Sequence, residues 1–83
     1  MARREVETPA YIEFARRVIR SAGRRCGDAD EIELGLLLGL QQELDSAVAE
    51  AVAGLRTRGV SWAYIASATG ITRQSAWERW GRQ

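Results

Sequence analysis

Apolar residues recur at three- and four-residue intervals along most of the chain, the period of α-helices. The first such stripe is Tyr11, Ile12, Phe14, Ala15, Val18, Ile19 and Ala22, with Arg16, Arg17 and Arg20 mostly on the opposite side. Thr8 as a cap, Pro9 as a preset first helical residue and Gly23 as a stop predict a helix from Pro9 to about Ala22. Asp28, with Glu31 three residues on, predicts a capping box. A second helix then runs to about Arg58, just before Gly59, along a seam of Leu37, Leu40, Leu44, Val48, Ala51 and Leu55. Gly39 leaves open its division into two shorter helices.

Within that second helix the run LGLLLGL is apolar nearly all round, a pattern that a half-exposed helix tolerates poorly. Gly35 and Gly39 strip one face of side chains and permit a close crossing. A chain of 83 residues has little protein with which to cover every side of this run. A homodimer is therefore expected through Leu34, Gly35, Leu36, Leu37, Leu38, Gly39 and Leu40, the alternative being burial under the first helix alone.

Residues 61–80 change pattern. Ser61 is a good N-cap for a short helix from Trp62 to about Ala68, which turns Ile65 and Ala66 inward. Gly70 supplies a left-handed break, and Thr72 caps a further helix from Arg73 to Trp80. About three residues then join the two helices, and so short a link forces a steep crossing that needs small residues where the backbones approach. Ala66 and Ala76 meet that need.

The spacing of Ala66, Gly70, Ile71, Ala76 and Trp80 resembles that of the bacterial helix-turn-helix superfamily. More narrowly, GVSWAYIASATGITRQSAWERWG is similar to segments of small actinobacterial and phage regulators that read SWxxIA, then GhSRQAAxxRF with h apolar. The likeness covers roughly twenty to twenty-eight of the 83 residues. Thr69 and Arg79 depart from the superfamily, which usually has aliphatic residues there; Arg79 can still bury its stem while its guanidinium reaches solvent or phosphate. The resemblance implies a DNA-binding protein that inserts residues 73–80 into the major groove.

With Ile71, Ala76 and Trp80 inward, helical geometry turns Arg73, Gln74, Trp77 and Glu78 outward. These side chains suit base edges: Arg grips guanine through two donors, Gln pairs with adenine and Glu accepts from cytosine N4. Arg73 and Gln74 are the leading base readers. Thr72 and Ser75 are candidates for phosphate or base-edge hydrogen bonds, and the helix starts at Ser61 and Thr72 present N–H groups to phosphate. Arg56, Arg58 and Arg82 are expected along the DNA backbone. Trp77 stacks with Arg73, touches a thymine methyl, or packs against a neighbouring helix or subunit. Trp80 is expected to close the core, and Trp62 to pack or touch a phosphate.

Net charge is only +1, but its distribution is uneven. Residues 1–27 hold seven Arg against three Glu, residues 28–50 seven acids and no base, and residues 51–83 five Arg against one Glu. The C-terminal third thus carries the positive charge that counterion release from DNA requires, while the acidic middle is expected to face away from DNA.

Composition, 46% hydrophobic over 83 residues, suits one small domain. No run is apolar enough to span a membrane, and MARREVETPAYIEF lacks a signal-peptide core, so a cytoplasmic, nucleoid-associated setting is expected. With no His and a single Cys26, neither a nucleophile–base pair nor a metal site is expected, and the acids at 28–33 are accounted for by capping and the helix dipole. The expectation is a non-enzymatic all-α protein without cofactor. It forms a single domain over 1–83, with a helical hairpin and dimerisation region at 8–43 and a tri-helical DNA-binding region at 44–83. As a transcriptional regulator, a repressor or a phage or plasmid control protein, it would bind an inverted repeat in double-stranded DNA as a homodimer. The alternatives are a packaging or recombination adaptor of larger oligomeric state, and a protein-interaction module such as an anti-repressor.

Overall fold

A computed structural model describes the backbone of residues 2–82 and the side chains of residues 7–82. Among the described residues the fold is all-α: α1 (Ala2–Gly27), α2 (Glu31–Thr57), α3 (Trp62–Thr69) and α4 (Arg73–Trp80). The chain divides into two compact units, residues 1–41 and 42–83, and α2 contributes to both.

In the first unit α1 is longer than the sequence pattern predicts. It starts ahead of Thr8 and Pro9 and runs through Gly23 to Gly27. Proline removes one backbone donor and crowds the preceding turn, yet it stands early in this helix, where only a short N-terminal stretch bears that cost. Gly23 does not stop the helix because the glycines with positive φ are Gly59 and Gly70, so Gly23 stays right-handed.

The capping box expected at Asp28 and Glu31 is not formed, because α2 begins only at Glu31. Asp28 instead closes the end of α1, its N–H donating to the Arg25 carbonyl at 3.1 Å. Asp30 immediately precedes α2 and accepts from the Glu33 N–H at 3.0 Å. Glu31 and Glu33 then place acids in the first turn, where the helix dipole favours them. The Cys26 thiol points at the Glu33 carbonyl at 3.7 Å, and Ala22 and Cys26 share a shallow groove with Leu36, Leu37 and Leu40. α2 passes Gly39 without a break. None of the side chains described in residues 7–41 is buried, and large apolar groups stand open to solvent, with Tyr11 71%, Leu36 69% and Ile32 74% exposed.

The second unit has a small but closed core of Val52, Ile65, Ala66 and Ala76, against which Leu55, Val60, Trp62, Ile71 and Trp80 pack. The seam on α2 passes through Val52, and Ala51 is exposed. A helix turns 100° per residue, so strict three-and-four counting drifts, and contact with α3 and α4 chooses between adjacent positions. α3 starts where the Ser61 hydroxyl accepts from the Tyr64 N–H at 3.2 Å, and α4 where the Thr72 hydroxyl accepts from the Ser75 N–H at 3.0 Å. Between them Gly70 adopts φ 75° and ψ 15°, its N–H donating to the Ala66 carbonyl. Thr69 extends α3 one residue beyond the predicted end, and its hydroxyl bonds back to the Ile65 carbonyl at 2.8 Å.

A Cβ added at Gly70 would meet nothing within 4 Å, so a Gly70→Ala change acts through backbone strain alone. It is expected to cost about 1–2 kcal/mol, measured as a lowered unfolding midpoint, with no change in the contacts of the core. A midpoint equal to that of the parent chain would contradict the left-handed turn.

Candidate nucleic-acid interface

The second unit separates its predicted functional residues into two groups. The first lies at the start of α4. Thr72 is extended, with φ −72° and ψ 157°, and its hydroxyl caps the first turn of α4. Arg73 and Gln74 follow directly and are exposed, while Ser75 is half-buried with its N–H tied to Thr72. Ala76 is 0% exposed and holds that turn against α3. Glu78, one turn beyond Gln74, is exposed as well. The positive end of the α4 dipole and the Arg73 guanidinium thus share one corner.

Ser61, at the start of α3, is half-buried. Arg58 follows the end of α2, exposed, with its backbone N–H donating to the Leu55 carbonyl.

The second group gathers around a cleft bounded by α2, α3 and α4. Arg56 lies over the face of Trp62, with Cζ 4.9 Å from the ring centroid, and its Nη1 donates to the Val60 carbonyl at 3.0 Å. Arg82 lies over Trp77 at 5.3 Å. Trp77 is 43% exposed and joins Trp62 and Trp80 in the cleft wall. Of the alternatives open for Trp77, its ring lines the cleft beside residues of α2 and α3, and the guanidinium lying over it is that of Arg82. On the helical wheel Trp77 stands about 60° from the inward Trp80, so a ring as wide as indole at this boundary gains more by leaning towards the apolar side.

Gly81 was not singled out by sequence pattern, yet it is packed tightly. A Cβ there would lie 2.5 Å from Trp77 Cδ1 and 2.7 Å from Nε1. A glycine after a helix has an ordinary capping role, so no local signal distinguishes this use. The meeting of Arg56 with Trp62 was equally hidden, since it depends on the chain reversing at Gly59. Arg79 borders a separate hollow with Leu44, Asp45 and Val48.

Among the described residues no group of His, Cys, Asp and Glu is arranged to hold a metal ion, and no helix is long and apolar enough to cross a membrane. Comparison with known proteins brings no relative: no family model, curated protein or solved structure matches the chain.

Proposed function

We propose that this chain is a sequence-specific DNA-binding transcriptional regulator, a repressor or a phage or plasmid control protein, that lays α4 in the major groove. The observation that carries this is the exposed Arg73–Gln74 corner, set directly behind a capped helix start and held by a fully buried Ala76. The α3–turn–α4 element is the helix-turn-helix, with α4 as recognition helix. Arg73 and Gln74 read base edges in the first turn. Thr72 and Ser61 sit at helix starts suited to phosphate, and Arg58 adds charge along the backbone. Ser75, half-buried, serves mainly to close the cap. Glu78 discriminates against bases that offer it no donor. Arg56 and Arg82 contact phosphate from the rim of the aromatic cleft.

The functional molecule is a homodimer joined through the first unit. Leu34, Leu36, Leu38 and Leu40 are 42–69% exposed, an apolar area that a lone chain in water does not favour. Binding an inverted repeat requires two copies related by a two-fold axis to present their α4 helices about 34 Å, or a multiple of one DNA turn, apart.

Selection from a random DNA pool is the deciding experiment. An enriched inverted repeat supports the regulator, and a bound pool indistinguishable from the input overturns it. The same exposed leucines also suit an adaptor that assembles into a ring, and mass separates the two. Sedimentation equilibrium is expected to give twice the 9.2 kDa chain mass, and Leu36→Glu with Leu38→Glu should return the protein to monomer. A mass of six or more chains would favour the adaptor.

A further inference from the structure

All three tryptophans of the chain line one cleft of about 540 Å³ in the second unit, with Val52, Arg56 and Gly81 among the residues between them. Core packing alone does not call for this arrangement, since Trp77 is 43% exposed and the cleft stays open beside it. Two of the indoles carry an arginine on their faces, Arg56 on Trp62 and Arg82 on Trp77. A guanidinium stacked in this way is positioned by the ring while its in-plane N–H edge keeps donors free for an anion. Arg56 is further fixed by its bond to the Val60 carbonyl, which engages only one of its nitrogens. Among the described residues no acidic side chain lines the cleft.

The wall therefore combines flat π surfaces, an aliphatic floor and the Arg56 cation, and a second cation, Arg82, lies on the ring of Trp77. Its volume falls within the range of about 300–1,000 Å³ typical of small-molecule sites. We infer that the cleft binds a planar aromatic ring bearing an anionic group, the ring against the indoles and the anion on Arg56 and Arg82. Gly81 belongs to the site because only a residue without a Cβ lets the Trp77 ring lie where it does.

A regulatory consequence rests on the proposed function: an anion held by Arg56 and Arg82 withdraws them from phosphate, so ligand and DNA oppose one another, and by linkage the effect is reciprocal. Binding itself does not depend on DNA.

The test uses the full chain labelled with ¹⁵N, in which the tryptophans give three indole N–H resonances, titrated with naphthalene-2-carboxylate and with the neutral 2-naphthylmethanol. The carboxylate is expected to move the Trp62 and Trp77 indole signals saturably and to bind at least tenfold more tightly than the alcohol. Arg56→Gln and Arg82→Gln should each remove most of that preference while leaving the alcohol's weak binding unchanged. Equal affinity for the two probes, no saturable shift, or shifts confined to amides of residues 7–41 would overturn the site. With DNA from the selection, saturating carboxylate should weaken binding several-fold, and unchanged affinity would overturn the competition. A chain that binds the carboxylate as described but selects no DNA would refute the regulator and leave the cleft standing.

Discussion

Replacing Ile65 by Ala is expected to cost about 2–5 kcal/mol, the range for deleting most of a buried aliphatic side chain and leaving a cavity. Ile65 is 2% exposed and is the largest of the four side chains that form the closed core, the others being Val52, Ala66 and Ala76. Small domains have total stabilities near the low end of about 5–15 kcal/mol, so the loss removes much of what holds α3 and α4 in place. At about 4–8 °C per kcal/mol for a domain of this size, the midpoint should fall by roughly 10 °C or more. Tryptophan fluorescence is the suitable probe, because Trp62, Trp77 and Trp80 all lie in the second unit. Tyr64 precedes Ile65 on the same helix but is 74% exposed, and Tyr64→Ala should shift the midpoint only slightly. Similar shifts for the two variants would place the core elsewhere.

An Arg73→Ala variant should lose roughly 5–150-fold in affinity for the selected sequence, which corresponds to about 1–3 kcal/mol for one two-donor contact to a base. On unrelated DNA the loss should be much smaller, and the preference at one base pair should relax. Arg73 is exposed and makes no core contact, so the fold is expected to survive the change. Arg58→Ala provides the contrast. A phosphate contact carries no base information, so its removal should weaken binding on all sequences alike and reduce the salt slope by about one. If Arg73→Ala also weakened every sequence equally, α4 would not be reading bases through this side chain.

These expectations draw on residues of differing legibility. The starts of α3 and α4, both N-caps and the Gly70 turn are readable because each depends on atoms within three or four positions along the chain. Ser61 and Thr72 accept from N–H groups three residues ahead, and Gly70 needs only the absence of its own Cβ. The start and end of α1 depart from the sequence pattern for the opposite reason. Thr8, Pro9 and Gly23 carry real local preferences, but each is worth only a few kcal/mol at most, and a long helix can absorb them.

The sequence by itself determined the helical class, the capped pair at residues 61–80 and the exposed Arg73–Gln74 corner, since a repeating apolar stripe and short-range hydrogen bonds suffice for these. Only the tertiary structure decided that Val52 and not Ala51 enters the core, that Trp77 leans towards Arg82 rather than Arg73, and that Arg56 comes to rest on Trp62. Those outcomes hang on how α2, α3 and α4 meet. A side chain at the edge of a helical face is assigned to one side or the other by the neighbour that covers it, and that neighbour comes from a different element of the chain.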